Sequence, residues 1–358
     1  MAEDQTVETA PRNRFPLAAA TLPLIPTSTL GSHAPLGWLL TATEAMRRGE
    51  YGSRDIEETL TDATDVAVLD QQRAGLDVIV DGEMRRLDFN LGFYEHLLGL
   101  EPLPPSRRLG PEGHDQRGKW LVAGPLKAPG GLGTVDDYRY LLTIADRPTK
   151  ATVPGPFTLA GRLELNGVYA DRFEAAHDLA AIVNAECQAL VAAGADFIQI
   201  DEPSMAVYPN RPADLVALFN RAVEGVDAKI AGHMCFGNFR GRPVARRSYA
   251  PLLPHLQAFD ADQFLFEFAN RELAELELWR EFGADKELGA GLIDVKNYHC
   301  ETPALVAERV RTALQFVAPD KLWVAPDCGW SQTARWATVR KLRAMVEGVA
   351  IVRRELAG

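Results

Sequence analysis

Lys229-Ile230-Ala231-Gly232-His233-Met234-Cys235-Phe236-Gly237-Asn238 is a short apolar run that breaks at a glycine and then offers an imidazole and a thiol two residues apart. In an extended backbone, positions i and i+2 point to the same face. His233 and Cys235 therefore converge on one point at the end of a strand. Imidazole nitrogen and thiolate sulfur are ligands that zinc accepts. Taken alone, the pair is a weak signal and reads more readily as a buried cysteine beside a capping histidine. The rest of the chain favours the metal.

Seven further runs resemble this one: Leu22–Pro26, Asp77–Asp81, Lys150–Pro154, Phe197–Asp201, Gln263–Phe268, Leu288–Asp294 and Leu322–Pro326. Between them lie longer segments with the helical period, Arg54–Ala74, Arg172–Ala193, Pro212–Val223, Arg271–Phe282, Pro303–Phe316 and Thr333–Leu356. Strands that alternate with helices predict a parallel sheet with helices outside it. Eight such units close a (β/α)8 TIM barrel, the α/β fold expected here, and a chain of 358 residues fits one with insertions. An open doubly wound sheet is the alternative, but no glycine-rich phosphate loop follows an early strand. The rhythm breaks over residues 100–148, rich in Pro, Gly and Arg, which read as an insertion after the second strand with Trp120–Leu126 in a hairpin. Residues 1–18 read as an N-terminal extension, and residues 19–358 as a single barrel.

Composition narrows the partners. A net charge of −11 argues against nucleic acid, and no stretch approaches the roughly 20 apolar residues of a membrane span. The N-terminus lacks the apolar segment of a secretory signal, so a cytoplasmic setting is expected. Of the four cysteines, Cys187 falls inside a helical pattern and reads as core. Cys300 stands among polar residues. Cys235 and Cys328 both stand at strand ends, which suits a metal better than a disulfide framework.

Chemistry in such a barrel gathers at the C-terminal strand ends. Glu267 there interrupts the aromatic run Phe264-Leu265-Phe266-Glu267-Phe268. A buried, unpaired carboxylate is costly, and a metal ion resolves the cost. His233, Cys235, Glu267 and Cys328 make four ligands that zinc accepts in tetrahedral geometry. Two thiolates and one carboxylate make the site electron-rich, poor for activating water but suited to holding a substrate thiol as a thiolate.

These residues resemble the catalytic domain of cobalamin-independent methionine synthases. The resemblance runs from about Pro26 to the C-terminus, and rests on His233-x-Cys235, Glu267 and Pro326-Asp327-Cys328-Gly329. It extends to Leu30-Gly31-Ser32, to Gly82-Glu83-Met84-Arg85-Arg86-Leu87-Asp88 and to Asp201-Glu202-Pro203. It implies a zinc-dependent S-methyltransferase in which a zinc-bound thiolate, that of homocysteine, attacks a methyl donor. It also implies that Ser32, Glu83 and Asp201 hold the amino acid's carboxylate and ammonium. That assignment is chemically apt, with two carboxylates for one ammonium. A buried ion pair between these acids and Arg86 is the alternative.

The donor side departs from the family pattern. The chain carries one barrel's worth of strands rather than two. After Gly155-Pro156-Phe157-Thr158, Arg162 stands where the family places a ring-stacking tryptophan, and Ala206-Val207-Tyr208 supplies no second acid after Asp-Glu-Pro. Past the seventh strand, Asp294-Val295-Lys296-Asn297-Tyr298-His299 puts Lys296 in the place of the family's proton-donating histidine, with His299 nearby. Asp294, Lys296 and His299 are therefore the expected acid–base residues. The resemblance leaves the donor open among folate, a corrinoid and other alkyl groups, and with it a donor-delivering protein. Short relatives that alkylate coenzyme M from an epoxide give one alternative, and the metal-free porphyrinogen decarboxylases, whose barrel is similar, give another.

Overall fold

The computed structural model describes residues 12–86, 92–104, 118–238, 246–283 and 285–358, the side chain of Ala18 excepted. Its centre is a six-stranded parallel sheet. In spatial order the strands are β3 (Ala151–Pro154), β5 (Phe197–Asp201), β6 (Lys229–Met234), β7 (Gln263–Glu267), β8 (Glu287–Ile293) and β9 (Leu322–Pro326). All residues of β3, β5, β7 and β9 are buried, the pattern of a sheet covered on both faces. Three isolated parallel bridges, Thr27 to Val324, Ser28 to Val78 and Ile79 to Thr149, link the two edges of this sheet. The segments around Thr27 and Val78 thus take the places of the first two strands of a TIM-barrel-like fold. The expected first strand, Leu22–Pro26, is a correction: pairing begins one residue after it, and Ile25 has a φ of 54°.

The outer helices begin and end where local chemistry dictates. In α2 (Ser53–Ala74) the Asp55 carboxylate accepts from the Gly52 N–H, and Gly75, at a φ of 86°, closes the last turn. Asp171 caps α5 (Arg172–Ala192) by accepting from the Glu174 N–H, and Thr302 caps α9 (Pro303–Ala313) by accepting from Leu305. The expected helix Arg271–Phe282 forms only at its end, as α8 (Trp279–Phe282). Glu272, Leu273 and Glu275 take positive φ, which breaks the helical path after Arg271.

Within residues 100–148, β1 (Leu98–Leu103) and β2 (Lys119–Lys127) form an antiparallel pair, and α3 (Thr134–Ile144) follows as an outer helix. Trp120 of β2 stacks on Tyr94 with ring centroids 4.0 Å apart, and the Tyr94 hydroxyl donates to Leu159 O. The barrel interior is filled at its floor by Val78, Phe197, Ala231, Leu265, Trp323 and Ala325, with Leu17 and Leu22 of the N-terminal arm packed against them. Asn13 and Leu17 tie that arm to Gly194 and Asp196. Among the described residues, no helix is long and apolar enough to cross a membrane.

Candidate active site

Two to four residues beyond the apolar floor the same strands turn polar. Asp201 ends β5, His233 lies in β6 directly beside it in register, and Glu267 ends β7. Cys235 follows β6, and Cys328 follows β9 by two residues. His233 Nδ1 lies 2.6 Å from Asp201 Oδ1. An ionised carboxylate only accepts, so Nδ1 carries the proton and Nε2 presents its lone pair. That Nε2 is buried and has no protein partner among the described residues. Cys235 Sγ lies 3.4 Å from Cys328 Sγ, and ligand atoms of His233, Cys235 and Cys328 all lie within 4.8 Å of one another.

The two thiols share a hydrogen bond, and this splits them. It pushes Cys235, whose burial acts the same way, well above the ordinary thiol range. It draws Cys328 down to about 7 against the cost of burial, helped by the Lys296 ammonium.

Glu267 is fully buried. Its Oε2 lies 2.6 Å from Lys296 Nζ, and its Oε1 is buried without a partner among the described residues. Burial works against the Lys296 ammonium, but Glu267, Cys328, Asp327 and Cys235 outweigh it and hold its pKa above the ordinary lysine value. The expected fourth ligand is therefore held by a lysine and stands outside the His-Cys-Cys group. Asp294 organises the loop that carries Lys296: it accepts from Lys296 N at 2.7 Å, from Asn270 Nδ2 at 3.0 Å and from Asn297 Nδ2. His299 is exposed, and its backbone, not its ring, joins Asn297 and Lys341.

The expected amino-acid set draws together beside the cysteines. Glu83, at a φ of 59°, is buried, with Oε1 near Thr152 Oγ1 at 3.2 Å and Arg86 at 3.5 Å. Its Oε2 has no partner among the described residues. Burial, with Asp201 and Asp81 adding repulsion against the pull of Arg86, raises its carboxyl to about 8. Gly31 and Gly329 make this packing possible. A Cβ on Gly31 would lie 2.1 Å from Glu83 Oε1, and one on Gly329 2.1 Å from Ser32 Oγ. Leu87 and Asp88 of the same motif lie outside the described residues. Arg86 also reaches Asp81 and Asp137, so the expected ion pair exists alongside a carboxylate oxygen that stays unpaired.

Sequence reading missed three supporting residues. Asp327, 1% exposed, accepts three backbone N–H groups from Phe268, Ala269 and Asn270, which pins the end of β7 to the end of β9. Burial and the nearby Glu267 carboxylate raise its pKa well above the usual range. Glu202 accepts from the N–H groups of Phe157 and Thr158 at the start of α4 (Pro156–Ala160), and burial raises it to about 7. Lys150 lies buried inside the barrel. A buried acid aimed at a helix start leaves a recognisable pattern in Gly155-Pro156-Phe157-Thr158, whereas the roles of Asp327 and Lys150 depend on pairings between distant strands.

The model of the family described as cobalamin-independent synthase, catalytic domain, matches residues 25–350. The chain belongs to this family. A methionine synthase of Saccharolobus islandicus is 34% identical over 335 residues, 94% of this chain and 97% of that protein. One from Thermococcus kodakarensis is 34% identical over 337 residues, covering 94% and 96%. The solved structure of a B12-independent methionine synthase from Shewanella sp. W3-18-1, in complex with selenomethionine, superposes with a TM-score of 0.81 at 31% identity, over 93% of this chain and 99% of that one. A putative vitamin-B12-independent methionine synthase from Listeria monocytogenes shares the fold at a TM-score of 0.69 and 21% identity. Membership makes the chain a methyltransferase and decides against the decarboxylase alternative. The cobalamin-independent synthase family thus accounts for the fold and the class of reaction.

Proposed function

We propose that the protein is a zinc-dependent methyltransferase that transfers a methyl group to the thiol of homocysteine. The observation that carries this reading is the buried, unpartnered His233 Nε2 within reach of two thiols. Nitrogen and sulfur in that arrangement match the donors zinc prefers. His233, Cys235 and Cys328 would hold the ion, with Glu267, whose Oε1 is buried and unpaired, as the fourth ligand. When bound, zinc supplies the positive charge that lets an incoming thiol lose its proton at neutral pH.

The remaining roles belong to the chain's own groups. Glu83 and Asp201 take the substrate ammonium, and Ser32 donates to its carboxylate. Glu83 releases its proton as that cation arrives, since an opposite charge lowers a raised carboxyl. The thiolate sulfur forms a bond to the methyl carbon, and the donor departs with the electron pair of the bond that breaks. Lys296, with Asp294 fixing its loop and His299 at its exposed end, supplies a proton or a counter-charge to the departing donor. Arg162, in place of a ring-stacking tryptophan, supports a donor other than folate, such as a corrinoid brought by a second protein. Coenzyme M, without an ammonium, would leave Glu83 and Asp201 unmatched. Thiols kept free fit a reducing cytoplasm.

Zinc-edge X-ray absorption on the purified protein, with and without homocysteine, tests the reading. The expected result is two sulfurs at rest and a third when homocysteine is added. An unchanged shell would exclude homocysteine as the acceptor, and absence of zinc binding would defeat the proposal.

A further inference from the structure

A line of buried polar groups runs from the barrel interior to His233. Lys150 is 1% exposed, and its Nζ donates to Thr29 O at 2.9 Å and to Gln199 Oε1 at 2.5 Å. Gln199 is fully buried, and its Nε2 lies 2.8 Å from Asp201 Oδ1. The same Asp201 oxygen meets His233 Nδ1 at 2.6 Å. The fold places these groups together by register. Gln199 and Asp201 are two apart in β5 and share a face, Ile198 of β5 pairs with Ala151, next to Lys150, and Asp201 pairs with His233.

The line has only one consistent direction. Lysine has no acceptor in its ammonium form, so the amide oxygen of Gln199 must turn toward it. The amide nitrogen must then point at Asp201. An ionised carboxylate only accepts, so the imidazole must carry its proton on Nδ1 and leave Nε2 bare. We propose that Lys150 and Gln199 are positioning residues that hold the Asp201 carboxylate against His233 Nδ1, so that the imidazole keeps its proton there and Nε2 stays ready to bind a metal. The inference rests on reading His233 as a metal ligand. Burial draws the Lys150 ammonium down to about 7, while Asp201 pulls it back up. A neutral amine would still carry two N–H donors, enough for Thr29 O and Gln199 Oε1, but it is the ammonium form, with no acceptor, that fixes the direction. Metal-binding histidines are generally oriented by a carboxylate on the far nitrogen. Here the carboxylate is itself oriented by an amide whose own orientation a lysine dictates.

The test uses the full chain, stripped of metal and labelled with 15N-histidine, with tautomers read by NMR at a pH where His233 is neutral. Zinc affinity is measured separately by competition with a chromophoric chelator. Wild type should show His233 protonated on Nδ1. Lys150→Met keeps the length and removes the donor, freeing the amide to turn. Gln199→Leu cuts the line. In each variant the Nε2–H form should become populated, and the zinc Kd should rise about tenfold, the lower end of what orienting partners contribute. A purely structural Lys150 would lower Tm and leave tautomer and Kd unmoved. Should one buried stump prevent folding, the Lys150→Met/Gln199→Leu double variant removes the Lys150–Gln199 pair together, which avoids leaving either of those two groups facing an apolar stump. Wild type with its proton on Nε2, or folded variants with unchanged tautomer and Kd, would overturn the proposal. If wild-type zinc affinity equals that of His233→Ala, the metal-ligand reading fails, and the nitrogen spectra of the metal-free protein still decide the tautomer question.

Discussion

The floor and the mouth of the barrel are built from the same strands and differ in one respect. At the floor, Phe197, Ala231, Leu265 and Trp323 close the interior with apolar surface, and the arm residues Leu17 and Leu22 complete it. Two to four residues further along, Asp201, His233 and Glu267 are as deeply buried, yet His233 Nε2 and Glu267 Oε1 have no partner among the described residues. Buried polar atoms are normally paired, and on the reading proposed above a metal would satisfy both of these. The floor is closed by apolar packing. The mouth, on the same reading, is completed by its ligands.

The contrast breaks first at Lys296, where the largest effect is expected. Lys296→Met leaves Glu267 as a buried anion with no counter-charge, which costs about 3–5 kcal/mol. If the mouth is completed by a metal, that loss is confined to the metal-free protein, and added zinc raises the Tm of the variant more than that of wild type. Equal loss with and without zinc would make the pair an ordinary structural one. At the floor, Leu265→Ala should cost about 3 kcal/mol in denaturant unfolding, by lost burial and a cavity. It should leave the zinc Kd of the folded protein unchanged, and a weakened Kd would mean that floor and mouth are coupled.

The smallest effect sharpens the comparison just outside the barrel. Burial alone would raise the Asp70 carboxyl, but His33 and Arg335 outweigh it and hold it at about 2. A pKa lowered in the folded state stabilises above the unfolded value near 3.8 and loses that contribution as pH falls through about 2. Asp70→Asn should therefore cost about 1 kcal/mol at pH 7, discounted because Arg335 is half exposed, and close to nothing at pH 2. Urea unfolding at the two pH values checks this, and a cost independent of pH would point to packing rather than charge.

How legible this molecule is from its sequence depends on the range of the interaction. The strand ends are readable because a carboxylate such as Glu267 inside an aromatic run is conspicuous on its own. His233 and Cys235 are readable because the two-residue period of a strand puts them on one face. Local rules fail where a partner lies far along the chain. Lys296 has no sequence signal that points to Glu267, 29 positions earlier, and the pairing appears only when β7 and β8 lie side by side. Asp201 reads as a ligand for ammonium, and only the register of β5 against β6 shows that it also grips His233. The helical period over Arg271–Phe282 misleads for a local reason: Asp327 captures three successive N–H groups and turns the backbone before a helix can start.

Gly31 and Gly329 give the site an evolutionary fragility. Each position is a single base change from alanine, and in either case the new methyl group would meet the tip of a side chain in the proposed acceptor pocket, Glu83 Oε1 or Ser32 Oγ. The barrel would survive such a change, because the tip can turn aside. On the reading proposed above, what a lineage gives up with either glycine is one polar contact to its acceptor, and with it a share of its specificity.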